Sequence, residues 1–182
     1  TTTTFARTGF RAVTPAVGRP GWIPAYVALG SNLDDPVRQV RRAFDALAAL
    51  PQTRLVVRSA LYRSRPLGPV AQPDFVNAAA GLLTQLDAVT LLRELKALET
   101  QLGRAAPVVR WGPRLIDLDL LVHGATRLQE AGITVPHPGM AERAFVLAPL
   151  ADVSASLEVP GIGRVDGLLR CIDARGLERL DG

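Results

Sequence analysis

Short apolar or alternating runs in four segments of the chain predict β-strands. The predicted strands are 26–29, 54–63, 75–84 and 115–122. Elsewhere, apolar residues recur every three or four positions in two long segments, which is typical of amphipathic helices. The predicted helices are 36–50 and 87–102, followed by shorter candidates at 143–150 and 165–172.

Both long helices have clear end signals in the sequence. Asp35 followed by Pro36 is a typical N-cap with proline at the first helical position. Asp87 can cap the second helix, and Gly103 can end it. The order β-α-β-β-α-β predicts an α+β fold with a ferredoxin-like core and C-terminal helical additions. Its antiparallel sheet would carry helices on one face and leave the other face partly open for a ligand.

Composition supports a folded domain and excludes several classes of protein. The chain has 182 residues, of which 48% are hydrophobic and 21% charged, enough to bury a core. No uncharged apolar run approaches the roughly 18 residues that a membrane-spanning helix needs. The single cysteine, Cys171, excludes an internal disulfide framework and a cysteine-based zinc site. We therefore expect a cytoplasmic protein.

The first residues differ in composition from the rest of the chain. They contain no acids and no periodicity, so we interpret 1–23 as a flexible tail and 24–182 as one domain. An organellar transit peptide is the alternative interpretation of the tail. Lys plus Arg outnumber Asp plus Glu by 21 to 17, and Lys96 is the sole lysine. Such an arginine bias can reflect a GC-rich genome or donors gathered for phosphate recognition, and net charge alone does not identify a partner.

Two acids on the last predicted strand are the strongest candidates for chemistry. Asp117 and Asp119 are two residues apart, so their side chains point to the same face. The residues expected on the opposite, core face are Ile116, Leu118, Leu120 and Val122. Adjacent carboxylates on a half-buried strand repel each other, and a divalent cation such as Mg²⁺ would relieve that repulsion. A pair of ordinary solvated acids is the alternative.

Basic residues precede and follow the acidic strand. The loop before it contains Arg104, Arg110 and Arg114, together with Trp111. One guanidinium group can bind two phosphate oxygens at once. The tryptophan could anchor the loop by hydrophobic contact or stack on a ring of a ligand. Beyond the strand, His137 lies between two prolines and Arg143 lies near a helix start that favours anions. The alternatives are a solvated basic loop for the arginines before the strand and an ordinary loop residue for His137.

A proline-rich loop between two predicted strands could present a recognition surface. Phe75 and Asn77 follow it and share a face, so they offer an aromatic ring and an amide to a planar heterocycle. A packed connection with one capping amide is the alternative, and Phe145 on its own is more typical of a core. The chain has neither a Walker A nor a G-x-G-x-x-G motif, which disfavours a P-loop kinase or a Rossmann enzyme.

Together these blocks resemble the 6-hydroxymethyl-7,8-dihydropterin pyrophosphokinase family of folate biosynthesis. The blocks are 28–32, 66–77, 110–114, 117–119, 135–137 and 142–145. The run Arg-Trp-Gly-Pro-Arg followed by Asp-x-Asp is highly specific, and the match spans about 26–160. The resemblance implies that ATP donates its β,γ-diphosphate to the hydroxymethyl oxygen of the pterin, leaving AMP.

The resemblance also implies roles for individual residues. Asp117 and Asp119 would hold two Mg²⁺ ions, and Arg104 and Arg114 would act with them in catalysis. The residues near ATP would be Lys96, Glu99, Arg110, Trp111, Arg114, Leu120, Thr134, His137 and Arg143. The pterin pocket would comprise Ser64, Leu67, Phe75, Asn77 and Phe145. We expect a monomer that binds these two small molecules, with no nucleic acid or membrane partner.

The chain departs from the family pattern at a few positions. Ala106 stands where many members have another loop arginine, and Lys96 replaces a residue that is commonly uncharged. Pro138 and Phe75 stand where some members have tyrosine. These differences bear on affinity and loop kinetics rather than on the type of reaction.

Two other functions compete with this interpretation. A Mg-dependent nucleotidyltransferase also uses an Asp-x-Asp pair, but it usually carries Gly-Ser close before the acids, whereas Gly30 and Ser31 lie far upstream. An RNA-binding domain of similar layout would need exposed aromatic and basic side chains on its central strands. Asp117 and Asp119 on the predicted strand would repel RNA instead.

Overall fold

The apolar segments predicted as strands form one antiparallel sheet in the computed structural model, which describes residues 21–104, 112–130 and 132–180. The strands are β1 Ile23–Ser31, β2 Thr53–Arg58, β3 Leu61–Ser64, β4 Phe75–Thr84, β5 Asp117–His123, β6 Leu128–Glu130, β7 Ile133–Val135, β8 Glu158–Val159, β9 Gly163–Arg164 and β10 Glu178–Leu180. The helices are α1 Pro36–Ala48, α2 Ala88–Gln101, α3 Ala144–Ser154 and α4 Val165–Cys171, with a 3₁₀ turn at Met140–Glu142.

The main sheet has the order β10-β3-β4-β1-β5, and β2 also pairs with β4. The long strand β4 therefore pairs with β3 near its start and with β2 near its end. β6 and β7 form a separate hairpin, and β8 and β9 form another. The predicted ferredoxin-like α+β core is confirmed, and β10 extends its sheet beyond β3.

The single strand predicted over 54–63 is two strands, β2 and β3, and Ser59 explains the break. Its backbone N–H donates to Ala79 O at 2.9 Å, while its hydroxyl accepts from Ala79 N at 2.8 Å. The hydroxyl also donates to the carbonyl of Ala60 at 2.6 Å. The side chain thus takes over a hydrogen bond that a continuous strand would make through its backbone.

The predicted helix starts are confirmed by side-chain hydrogen bonds. Asp35 accepts from Arg38 N at 3.2 Å, and Asp87 accepts from Thr90 N at 2.9 Å. Each bond satisfies one of the backbone N–H groups that a helix leaves free at its first turn. After α2 ends, Gly103 adopts φ 99°, a left-handed conformation that glycine accepts without strain.

The hydrophobic core lies in two clusters. The larger packs α1 and α2 against the sheet and includes the buried side chains of Ile116, Leu118 and Leu120, as predicted. Val122 was predicted to lie in the core on the same face; it is buried, but the predicted face is wrong. The pairing of β1 with β5 shifts register beside Tyr26, so Val122 packs with Leu121 in the second cluster. A bulge of this kind places neighbouring residues on one side of a sheet.

The second cluster covers only part of the other face of the sheet. There α3 packs on β4 and β3, and α4 packs on α3. The uncovered part of this face, beside β1 and β5, holds a cavity. The expectation of a partly open ligand face is therefore confirmed.

The predicted tail falls largely outside the part of the chain that the structure describes, which starts at residue 21. Ile23, counted as the last tail residue, is the first residue of β1. Just before it, Trp22 lies under the guanidinium of Arg54, which is 4.5 Å from the ring centre. Within the described residues, no helix has the length and apolar character needed to cross a membrane.

Candidate active site

The cavity on the open face brings together most of the residues singled out in the sequence. The predicted residues that line it are Ser64, Leu67, Phe75, Asn77, Arg114, Asp117, Asp119, His137, Arg143 and Phe145. Other lining residues were not predicted, among them Ala28, Gly30, Arg65, Gln72 and Gly112. These residues come from β1, β3, β4, β5, α3 and the loops between them, so the sheet pairing creates the site.

Asp117 and Asp119 face the cavity from β5, as the strand period predicted. In the pairing of β5 with β1, Asp117 lies opposite Gly30 and Asp119 lies opposite Ala28. The small size of these two β1 residues leaves room above the aspartates. The side chain of Asp117 is 17% exposed and that of Asp119 is 35% exposed. Among the described residues, no group of three or more His, Cys, Asp and Glu side chains converges in a metal-binding arrangement.

Three cations surround Asp117. Arg104 Nη1 donates to Asp117 Oδ1 at 2.7 Å, Arg114 donates to Oδ2, and Lys96 Nζ lies 3.8 Å from Oδ1. Burial alone would raise the pKa of Asp117, but the charges of Arg114 and Arg104 outweigh it and lower that pKa. Asp117 is therefore a carboxylate at neutral pH.

Glu99 on α2 connects these cations to β5. Its side chain is 5% exposed, and its Oε1 accepts from Leu118 N at 2.6 Å and from Lys96 Nζ at 2.7 Å. Its other oxygen accepts from Arg104. The buried carboxylate is thereby satisfied on both oxygens, and it holds Lys96 and Arg104 beside the two aspartates.

The same cavity also carries the residues expected around a flat ring. Asn77 Nδ2 donates to Ser64 Oγ at 2.9 Å and to Tyr62 O at 3.4 Å, which fixes the orientation of the amide. Its Oδ1 points toward Gly30, where an added Cβ would lie 3.5 Å away. Phe75 and Phe145 line the same cavity from β4 and α3. An oriented amide and two aromatic rings in one cavity can bind a planar heterocycle by its polar edge and its faces.

His137 closes the cavity on the β5 side. Its backbone N–H donates to Leu121 O at 2.9 Å, and its Nε2 lies 4.0 Å from Asp119 Oδ2. Its Nδ1 is buried and has no hydrogen-bond partner among the described residues. Burial lowers the pKa of His137 more than the nearby Asp119 raises it. The ring is therefore neutral at pH 7.

Asn32 was not predicted, yet it connects two of the loops around the cavity. Its side chain is nearly buried, and its Nδ2 donates to Gln72 Oε1 at 3.0 Å and to Pro73 O at 3.1 Å. Its Oδ1 accepts from Arg114 N at 2.8 Å. The sequence signal was a polar residue just after a strand, which is too common to single it out.

Several predicted residues lie away from the cavity lining. Leu120 is 2% exposed in the core, so its side chain faces away from the site. Thr134 is exposed on β7, outside the lining. Arg110 and Trp111, like Ala106, lie outside the described residues.

Comparison with known proteins agrees with this geometry. The family model for 7,8-dihydro-6-hydroxymethylpterin-pyrophosphokinase matches residues 26–155. A 2-amino-4-hydroxy-6-hydroxymethyldihydropteridine pyrophosphokinase of Pseudomonas aeruginosa is 48% identical over 157 residues, which are 86% of this chain and 96% of that protein. One of Haemophilus influenzae is 45% identical over 138 residues, 76% of this chain and 86% of that protein.

Solved structures share the fold at much lower identity. An HPPK-DHPS crystal structure in complex with substrates has a TM-score of 0.69 and 11% identity, and covers 88% of this chain and 47% of that one. The Plasmodium falciparum HPPK-DHPS with pteroate has a TM-score of 0.67 and 12% identity, and covers 82% of this chain and 42% of that one. From the family match and the close relatives, the chain belongs to the 7,8-dihydro-6-hydroxymethylpterin-pyrophosphokinase family.

Proposed function

We propose that this cavity performs the reaction of its family with the residues described above. The hydroxymethyl oxygen of 6-hydroxymethyl-7,8-dihydropterin attacks the β-phosphorus of ATP. A new O–P bond forms, the bond from that phosphorus to the α,β-bridging oxygen breaks, and AMP leaves. The pterin diphosphate is the other product, and the hydroxyl proton passes to solvent. The observation that carries the proposal is that one cavity is lined both by the Asp117–Asp119 pair and by Asn77 with the aromatic rings of Phe75 and Phe145.

Asp117 and Asp119 are the proposed ligands of Mg²⁺. One observation supports the fit: the ammonium of Lys96 lies within 4 Å of an oxygen of each carboxylate, so a cation is already accommodated between them. Mg²⁺ is usually held by one or two carboxylates, with phosphate and water oxygens as its other ligands. When bound, the ion would neutralise charge on the triphosphate. We assign two such ions to the site by analogy with the family.

Arginines would hold the phosphate oxygens in place. Arg114 lines the cavity, and both Arg114 and Arg104 donate to Asp117. Arg143, next to the start of α3, also lines the cavity. Guanidinium groups bind phosphate oxygens bidentately, so a triphosphate could exchange places with the carboxylate as their partner. Phosphoryl transfer depends mainly on such positioning and charge neutralisation, and no nucleophilic side chain is required. His137, whose ring lines the cavity next to Asp119, would add a hydrogen bond.

Asn77, Phe75 and Phe145 would bind the pterin, with Ser64 and Leu67 at the edge of its pocket. Lys96 and Glu99 would lie near the nucleotide, as would the backbone of Leu120. Arg110, Trp111 and Thr134 stay assigned to ATP by resemblance alone. The described part of one chain forms the cavity by itself, which supports a monomer. We also propose that the enzyme works in the cytoplasm.

The variant Asp119→Asn tests this proposal, because it removes a charged ligand and changes the size of the side chain little. We expect turnover to fall at least about a hundredfold at saturating Mg²⁺ and ATP. The control is Asp166→Asn, which removes a carboxylate paired with Arg164 on the surface and should leave turnover unchanged. A wild-type rate in Asp119→Asn would contradict the metal assignment.

A further inference from the structure

The sole lysine of the chain lies beside both aspartates of the proposed metal site. Lys96 Nζ is 3.4 Å from Asp119 Oδ1 and 3.8 Å from Asp117 Oδ1. On its other side it donates to Glu99 Oε1 at 2.7 Å and to Leu118 O at 3.0 Å. Glu99 and the carbonyl of Leu118 are not proposed metal ligands, and they hold the ammonium next to the two aspartates that are proposed as ligands.

We propose that Lys96 is an internal counter-ion that competes with a divalent cation for the oxygens of Asp117 and Asp119. In this role it keeps the free enzyme from binding the cation tightly, so that the cation arrives mainly together with ATP. The inference rests on the proposed function, because it takes Asp117 and Asp119 as the metal ligands.

The charged groups in direct contact with the two aspartates and with Glu99 balance their charges before any ligand binds. Three carboxylates, those of Glu99, Asp117 and Asp119, are matched by the cations of Lys96, Arg104 and Arg114 in direct contacts. A cluster with no net charge attracts an added cation weakly. An unbalanced acid pair at the same spacing would attract it strongly.

Entry of a divalent cation therefore requires Lys96 to give up one set of its contacts. A cation held by these two carboxylates would lie close to the ammonium, and two positive charges at short distance repel each other. Lys96 can move away from the aspartates without losing all its partners, because Glu99 and the carbonyl of Leu118 lie on its other side. Its side chain is 45% exposed, which leaves room for that movement.

ATP would change this balance, since it brings negative phosphates to the arginines and offers further oxygens to the cation. Binding of the cation and of ATP should then be coupled, each raising the affinity for the other by the same factor. The lysine enlarges that factor, because it weakens cation binding only while the phosphates are absent. A lysine that served only to support the fold would not affect this coupling.

The experiment measures Mn²⁺ binding by electron paramagnetic resonance, first without nucleotide. The variant Lys96→Met keeps the length of the side chain and removes its charge. We expect it to bind Mn²⁺ about three- to tenfold more tightly than the wild type. Lys96→Arg keeps the charge and is the matched control, with an affinity close to that of the wild type. General damage to the site would weaken binding, so tighter binding separates the two explanations. Equal or weaker binding in Lys96→Met would overturn the inference.

A second titration, with a non-hydrolysable ATP analogue present, separates this inference from the proposed function. The factor by which the analogue raises Mn²⁺ affinity should shrink in Lys96→Met by the same three- to tenfold. Suppose that Asp119→Asn abolishes Mn²⁺ binding with the analogue, while Lys96→Met leaves both titrations unchanged. The metal assignment would then stand and the role of Lys96 would be refuted. Mn²⁺ binding that is unaffected by Asp119→Asn would refute both.

Discussion

Asn32 and Arg114 are held together by two hydrogen bonds between segments that lie 82 residues apart in the chain. The backbone N–H of Arg114 donates to Asn32 Oδ1 at 2.8 Å, and the backbone N–H of Asn32 donates to Arg114 O at 3.0 Å. The guanidinium of Arg114 reaches Asp117 from this fixed backbone. The position of the arginine in the cavity therefore depends on the end of β1.

The variant Asn32→Ala should lose this positioning. We expect a cost of about 1–3 kcal/mol in the free energy of unfolding, because buried polar groups of the backbone lose their partner. Turnover should fall about tenfold or more, because the hydrogen bonds of Asn32 no longer hold Arg114 and the loop at Pro73 in position. Denaturant titration and steady-state kinetics measure the two effects.

Gln39→Ala is a matched control for Asn32→Ala, because it also removes a buried side-chain amide. Gln39 is also buried, and its Nε2 donates to Asp34 O at 2.8 Å, but it lies on α1 and does not line the cavity. This variant should lose similar stability and retain wild-type turnover. If Asn32→Ala behaved in the same way, the positioning role of Asn32 would be wrong.

Arg114→Ala should slow turnover strongly while leaving the fold intact. Its guanidinium is partly exposed and makes its ion pair at the edge of the cavity, so the free energy of unfolding should change by about 1 kcal/mol or less. Loss of a charged phosphate contact typically costs about 10²–10³ in turnover. Arg63→Ala, which breaks the exposed pair with Glu178, controls for loss of an arginine. Unchanged kinetics in Arg114→Ala would exclude its role as a phosphate clamp.

Gly30→Ala should narrow the pterin end of the cavity. The added methyl would lie 3.5 Å from Asn77 Oδ1, which is an ordinary contact, so the fold should tolerate it. It would nevertheless cover the amide that we assign to the pterin. We expect KM for the pterin to rise about tenfold. KM for ATP should stay nearly constant, because the added Cβ meets Asn77 Oδ1 and no atom of Asp117 within 4 Å. Gly21→Ala, where nothing lies within 4 Å of the added Cβ, is the control. An unchanged KM for the pterin would argue against this placement of the ring.

His137 should titrate below the ordinary histidine pKa of 6.5, because burial disfavours its charged form. The unfolded chain then takes up a proton at a higher pH than the folded chain. The contribution of His137 to stability is thus present above about pH 6.5 and declines as pH falls toward the lower folded pKa. Bound ATP should raise that pKa, since phosphates favour the charged ring.

Carbon-detected NMR of the imidazole rings measures this pKa directly. The chain contains two histidines, so the variant His137→Gln identifies the signal. A pKa of 6.5 or above without ligand would show that the site does not desolvate the ring.

Local signals predicted much of this fold. Asp35, Pro36, Asp87 and Gly103 mark helix ends through their own backbone chemistry, which acts over only a few residues. The strand period was enough to place Asp117 and Asp119 on one face. Such features depend on neighbouring residues in the chain, so the sequence carries them.

Other features depend on distant residues and could not be predicted. The break at Ser59 requires Ala79 as its partner, and the position of Val122 requires the shifted register with Tyr26. The same holds for Asn32, whose partners lie in two remote loops. Lys96 was placed near the nucleotide by resemblance, but its contacts with both aspartates follow from the packing of α2 against β5. Tertiary structure determines these relationships.

The most direct test of the central claim is ³¹P NMR of the protein with ATP, Mg²⁺ and 6-hydroxymethyl-7,8-dihydropterin. We expect AMP and a pterin diphosphate to appear in equal amounts, and only when the pterin is present. Formation of ADP would mean transfer of a single phosphate. Release of pyrophosphate with AMP joined to an acceptor would indicate a nucleotidyltransferase. Either result, or no reaction with verified reduced pterin, would contradict the proposed diphosphate transfer.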